Sequence, residues 1–215
     1  GNRVHVKTKN GEFNSKKLLI TVSNGILSSN QIKFLPELPE YKAAAIRNLP
    51  MATLNKVCLC FRDRTFQKNQ EGWYVVCSGN SETLISSVLS FEIRRSPKNH
   101  MIIFFGGKEA KELELSPKKV LRRIRIMLSK TFGNDVSERI TKSITSTWSL
   151  DEYSLGSYSY ALPGKHKDRD LLKKHIEDTL FFAGEATEKD HYGTCHGAYF
   201  SGVSAAKEII SKLKP

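Results

Sequence analysis

Lys56 stands inside the apolar run Leu54–Phe61. An ammonium there is costly unless it is paired, bound to water, or led out to solvent by its stem. Two readings follow: an edge lysine whose head reaches water, or a cation kept for chemistry. Glu185 closes a second apolar run, Leu180-Phe181-Phe182-Ala183-Gly184, so a carboxylate falls at a strand end, where open α/β sheets receive ligands. Its chemistry there is to accept a hydrogen bond from a ligand hydroxyl. A helix opening near Thr194 turns its free N–H groups and positive dipole end on the same crevice, which suits an electron-rich or anionic group. Gly193, Gly197 and Gly202 allow close backbone approach along that helix. Trp148, Tyr153 and Tyr158 lie among small residues, a pattern that reads first as a core strand and second as a ligand cage. Indole and phenol faces attract alkylammonium groups and pack flat on aromatic rings. His196, in the first helical turn, is as readily a capped structural residue as a ligand contact.

These residues need elements to carry them. Val4 and Val6 alternate with polar residues, Lys9-Asn10-Gly11 turns the chain, and Leu18-Leu19-Ile20-Thr21-Val22 resumes it, so a hairpin feeds a buried strand. A chain opening on a hairpin reads as the middle of a domain. Prolines at 36 and 39 precede Ala43, Ala44, Ile46 and Leu49 at helical spacing, which predicts a helix over about 40–49. The runs 54–61, 73–77 and 101–105 predict three buried strands. Ser116-Pro117 opens an amphipathic helix through Val120, Leu121, Ile124, Met127 and Leu128 to about Phe132. A shorter strand-like stretch, 139–148, follows; the polar run 165–170 reads as an exposed loop or helix start. The last unit is a strand, 179–183, then Gly184, a loop, and a helix from about Thr194 to Leu213.

Composition narrows the partners. At 215 residues and 39% hydrophobic content the chain can bury a sizeable core. It holds no apolar run of about 18 residues and no signal-peptide pattern at its start. The net charge of +12 is dispersed. Its densest stretches, 119–130 and 171–175, have the spacing of a solvated helix face, which argues against a nucleic-acid partner. Cys58, Cys60, Cys77 and Cys195 form no C-x-x-C pair and no metal spacing, so free thiols and a reducing intracellular compartment are expected. Cys58 and Cys60 share a strand face, where buried small hydrophobes are expected.

The segment LFFAGEATEKDHYGTCHGAYFSGVSAAKEI resembles the C-terminal signature of the flavin-containing amine oxidases, above all the polyamine oxidases and lysine-specific histone demethylases. ITVSNGIL, IKFLPELPEYKAAAI, LNKVCLCF and WSLDEYSLGSYSYALPG extend the likeness, which is loosest across about 62–147. The resemblance implies an α/β fold: an α+β substrate domain with a mixed sheet, plus the C-terminal part of an FAD-binding dinucleotide fold. It implies three segments: 1–30, part of the FAD-binding domain; 31–150, the substrate-binding domain; and 151–215, the substrate-cage strand with the last FAD-binding strand and helix. It implies roles as well. Lys56 holds a water near flavin N5 and assists reoxidation. Glu185 and Gly184 meet the sugar-alcohol chain of FAD. Thr194 and Cys195 face the pyrimidine side of the ring, and Trp148 and Tyr153 lie near it. Tyr158, Thr194 and His196 bind substrate, Tyr158 as one wall of an aromatic cage. Ser157 stands where monoamine oxidases have the cysteine linked to flavin, so FAD is held non-covalently. Thr194 replaces a second cage tyrosine, which opens the cage toward larger, secondary amines.

After no strand does the sequence show G-x-G-x-x-G; Gly106-Gly107 is continued without the third glycine. The pyrophosphate cradle is therefore expected from a missing N-terminal half or a partner chain. Two functions remain. One is an amine oxidase that passes a hydride from the carbon beside a secondary amine nitrogen to FAD, with oxygen as final acceptor and hydrogen peroxide released. The other is an amine-oxidase-like remnant serving as a structural subunit without FAD.

Overall fold

A computed structural model of the chain describes residues 3–62, 65–77, 88–95 and 99–213. Its first elements are strands β1 (Val4–Thr8), β2 (Gly11–Ser15) and β3 (Leu18–Ile20), helices α1 (Asn24–Ser28) and α2 (Glu40–Asn48), and strand β4 (Met51–Ala52). Strands β5 (Leu54–Phe61), β6 (Gly72–Cys77), β7 (Val88–Arg94) and β8 (His100–Gly106) follow. Helices α3 (Gly107–Leu115), α4 (Pro117–Phe132) and α5 (Asn134–Glu138) then lead to strand β9 (Ile140–Thr145). The chain closes with β10 (Tyr158–Ser159), α6 (Asp168–Lys173), β11 (Leu180–Phe182) and α7 (Cys195–Leu213). It forms two compact units, Thr53–Leu150 and Gly1–Ala52 with Asp151–Pro215.

The unit 53–150 is an antiparallel sheet in the order β6-β7-β8-β5-β9. Alternation along its strands sends Val57, Leu59, Phe61, Phe91, Ile93, Met101, Ile103 and Phe105 to one face, where they are buried with Ala110, Leu113, Val120, Ile124, Met127, Leu128 and Val136 of α3–α5. The apolar stripe of α4 falls at i, i+4, i+7 and i+8, the spacing that predicts the helix from sequence. Sequence reading named three buried strands; among the described residues the sheet has five strands. β7 alternates Phe91 and Ile93 with Ser90, Glu92 and Arg94, a period of two that a search for continuous apolar runs passes over. β6 is an edge strand, not a buried one: Trp73 is 63% exposed and Val75 65%. Cys58 and Cys60 do share a face, but it is the one opposite the helices, and both are half-exposed rather than buried. Both are free thiols, as is Cys195; the side chain of Cys77 lies outside the described residues.

In the second unit β3 runs parallel to β11, in register Leu18 with Leu180 through Ile20 with Phe182. β1 and β2 form the hairpin, turning through Gly11 at φ +131°. β10 pairs antiparallel with β4, Tyr158 opposite Ala52 and Ser159 opposite Met51. Ala45, Ile46, Leu49, Leu172 and Ala186 make the core between α2 and α6. The inward face of α2 thus carries Lys42, Ala45, Ile46 and Leu49, not Ala43 and Ala44. Residues 31–52, which sequence reading grouped with the segment ending at 150, cluster with 151–215. Together these pieces make a mixed α/β fold: a helix-backed antiparallel sheet, and a parallel strand pair leading into a long helix.

Candidate functional site

β11 delivers the chain to Gly184, whose φ of +138° is a conformation glycine alone adopts readily. Ser201 of α7 pins this turn: its Oγ accepts from Gly184 N at 2.8 Å and lies 3.1 Å from the Gly184 carbonyl. Glu185 follows, half-buried, at the start of a single 3-10 turn ending at Thr187. Its carboxylate is held from two sides. Oε1 accepts from Ser159 N at 2.7 Å; Oε2 accepts from Ser159 Oγ at 2.9 Å and from Gly193 N at 2.7 Å. Strand β10 and the loop before α7 thereby converge on one acidic residue.

α7 begins where sequence reading placed it, and its cap explains why. Thr194 Oγ1 accepts from Gly197 N at 3.0 Å and donates to the His191 carbonyl at 2.6 Å, so the hydroxyl meets one of the helix's orphan N–H groups. Gly197 is required by that packing: a Cβ there would stand 2.0 Å from the His191 carbonyl oxygen. Gly193, at φ +69°, lies under the Tyr158 ring, where a Cβ would come within 3.4 Å of Cδ2. Gly202 is different. A Cβ there meets nothing within 4 Å, so close approach does not explain it. His191 and His196 pack ring to ring at 5.0 Å, each beside Phe200, and all three are exposed.

Tyr158, Gly184, Glu185, Thr194, Cys195 and His196 are therefore brought together by β10, β11 and the start of α7. Tyr153 belongs to the same unit, on the 151–156 turn. Ser23 Oγ donates to the Ser154 carbonyl at 2.6 Å and pins that turn, and Tyr153 itself is 77% exposed. Its hydroxyl bonds Glu152, whose carboxylate pushes the phenol's pKa up.

Lys56 and Trp148 belong to the other unit, where Asn55 joins them. The side chain of Asn55 is fully buried; its Oδ1 accepts from Trp148 N at 3.0 Å and Ser146 Oγ at 3.2 Å, and its Nδ2 donates to Glu114 Oε1 at 2.8 Å. Lys56 N donates to Ser146 Oγ at 2.8 Å, so the segment carrying Trp148 is tied to β5 beside the lysine. β5 is an interior strand, and Lys56 is exposed on the sheet face away from the helices, its Nζ 5.3 Å from the Phe104 ring centroid.

Sequence reading missed three polar residues that the fold buries, Asn55, Lys42 and Arg169, of which Asn55 and Arg169 touch the residues described above. Arg169, within a run read as exposed, is 1% exposed. Its Nη1 donates to Ser159 Oγ at 2.8 Å and the Ala186 carbonyl at 3.0 Å, and Nη2 to the Ser159 carbonyl at 3.4 Å. The Tyr192 ring lies 4.2 Å from Cζ. Burial lowers the guanidinium's pKa, while Glu185 and Tyr192 oppose that shift. Among the described residues no cluster of His, Cys, Asp and Glu could hold a metal, and no helix is long and apolar enough to cross a membrane.

Residues 1–210 match the family model of the flavin containing amine oxidoreductases, and the chain belongs to that family. It is 37% identical to polyamine oxidase 4 of Oryza sativa subsp. japonica over 99% of this chain and 43% of that protein. It is 33% identical to lysine-specific histone demethylase 1 homolog 3 of Arabidopsis thaliana, over 99% of this chain and 13% of that one. Its place is thus the polyamine oxidase and histone demethylase branch. The fold superposes on cyclohexylamine oxidase from Brevibacterium oxydans with a TM-score of 0.80 at 21% identity, covering 99% of this chain and 46% of that one. The chain spans less than half the length of these relatives.

Proposed function

We propose that the chain supplies the sugar-alcohol and ring side of a non-covalent FAD site, together with much of the substrate wall, in an oxidase of secondary amines of the polyamine or methyl-lysine type. The observation that carries this reading is the Glu185 constellation. A carboxylate offers about four acceptor positions, and three are taken by fixed donors of the protein. The remaining one, on Oε1, suits a ligand hydroxyl at the end of a parallel strand. Beside it α7 presents an N-terminal turn whose N–H groups favour the electron-rich edge of a ring. Gly184 leaves open backbone there: a Cβ on it would meet nothing within 4 Å. This donor and acceptor set fits the ribityl and pyrimidine portions of a flavin. The pyrophosphate cradle would come from residues outside the 215, in the same polypeptide or a partner.

When bound, the flavin supplies the acceptor for a hydride from the carbon beside the amine nitrogen and then passes two electrons to oxygen, releasing hydrogen peroxide. The chain's residues bind and orient. Tyr158, with Gly193 beneath its ring, presents an aromatic face to an alkylammonium group, and Thr194 beside it leaves room for a substituted nitrogen. Lys56 offers an ammonium that can hold a water. Ser157 donates to the Ala52 carbonyl at 2.7 Å and gives no thiol for a covalent link. One observation favours the second reading, a scaffold without FAD: most of the Glu185 acceptor capacity is met within the chain.

Amine-dependent oxygen uptake separates the two. The oxidase predicts uptake with a secondary amine, at least about tenfold slower reaction with oxygen in Lys56→Met while flavin stays bound, and a raised KM in Tyr158→Ala. Stopped-flow traces that show the same oxygen reaction in Lys56→Met remove Lys56 from the mechanism. Protein that holds no flavin and consumes no oxygen with any amine is the scaffold.

A further inference from the structure

We infer that Arg169 is a positioning residue for both the Glu185 carboxylate and the Tyr158 ring, and that it makes Glu185 selective for a ligand hydroxyl; this rests on the flavin reading above. A buried guanidinium is costly unless its donors are met. Here three of its five donors go to Ser159 Oγ, the Ser159 carbonyl and the Ala186 carbonyl, with the Tyr192 ring over Cζ. All these partners lie at the candidate site, and Ser159 is the residue that holds Glu185.

The direction of the network follows from the inventory of donors. Arginine has no acceptor, so Ser159 Oγ accepts from Nη1, and the single hydroxyl hydrogen is left for Glu185 Oε2 at 2.9 Å. Ser159 N and Gly193 N add two donors that cannot reverse. Every neighbour of the carboxylate therefore gives a hydrogen to it. What remains on Oε1 is a place for one more donor, which admits a hydroxyl and refuses a carbonyl or phosphate oxygen.

Arg169 also grips the main chain of Ser159, directly after Tyr158 in the short strand β10. β10 is only two residues long; Ser157 N and Tyr160 N donate to the carbonyls of Ala52 and Pro50, both at 2.9 Å, and tie it to the β4 side, and Arg169 anchors its other side. Loss of the guanidinium frees Ser159 Oγ to turn its hydrogen elsewhere and lets Tyr158 and Glu185 shift together. A single buried cation thus couples the proposed cofactor contact to the proposed amine cage.

The test uses the complete polypeptide that carries this chain, together with its partner chain where one supplies the pyrophosphate cradle, titrated with FAD and with an FAD analogue whose ribityl chain lacks its hydroxyls. Arg169→Met is expected to weaken FAD about tenfold, to leave the analogue's Kd within about twofold of wild type, and to raise the amine KM. Arg169→Lys recovers part of the loss. A role confined to folding would weaken FAD and analogue alike, and that result overturns the inference, as does an unchanged Kd for FAD. If Arg169→Met does not fold, Ser159→Ala removes the relaying hydroxyl alone and must show the same discrimination between the two cofactors. Wild-type protein that binds neither cofactor overturns the flavin reading itself, a different outcome from wild-type binding that Arg169 variants leave untouched.

Discussion

Lys42 shows what burial does to a single side chain in this fold. Its Nζ donates to the carbonyls of Leu171 (2.9 Å), Leu172 (2.8 Å) and Lys174, closing the C-terminal end of α6, and sits 4.1 Å from the Phe182 ring centroid. Burial, with the charge of Lys174 added, brings its pKa down to about 7. The sign of the pH effect follows. Between about 7 and 10.5 the unfolded chain holds a proton on this amine that the folded chain has lost, so stability from this residue rises as pH climbs through that window. Urea midpoints of wild type minus those of Lys42→Met should increase from pH 7 to pH 10; a flat or falling difference contradicts the assignment. Lys42, like Arg169 and Asn55, was illegible in the sequence. A polar residue in a periodic pattern reads as the solvent side, and its burial is decided by partners far along the chain: α6 for Lys42, β10 for Arg169, and α3 with the 146–148 segment for Asn55.

At the level of elements, the long periodic segments were legible and the close approaches were not. β5, β8 and α4 announced themselves by apolar content and spacing, and Pro117 and Gly133 bound α4 at either end. The edge position of β6 and the half-exposed face of Cys58 and Cys60 depend on strand order, which no local pattern states. The glycines divide in the same way: Gly197 is required by packing that only the folded chain displays, Gly193 is favoured by its positive φ of +69°, and Gly202 is held by neither. Gly197→Ala should cost about 2–3 kcal/mol, because its Cβ would collide with a main-chain oxygen that cannot rotate aside, whereas Gly202→Ala should be neutral or mildly stabilising within the helix. Thermal melts of the two variants settle the matter; equal costs would mean that the loop at His191 yields freely.

Across the whole molecule, the residues singled out for function divide between the two units: Lys56 and Trp148 belong to one, the Glu185 constellation and Tyr158 to the other. The sequence showed the family because the residues at the end of β11 and the start of α7 sit at constrained turns and caps, where residue type is dictated locally. The partition of the chain was less plain, since residues 31–52 pack against α6, far downstream. The chain spans 43% of the rice polyamine oxidase, and under the proposed reading the cofactor's phosphate contacts are left to residues other than these 215. The central claim, a flavin held by hydrogen bonds and not by a covalent link, is tested most directly by acid precipitation of the complete polypeptide purified from its host. The account predicts yellow protein that releases about one FAD per chain into the supernatant on denaturation. A colourless protein, or a pellet that keeps the colour, would contradict it.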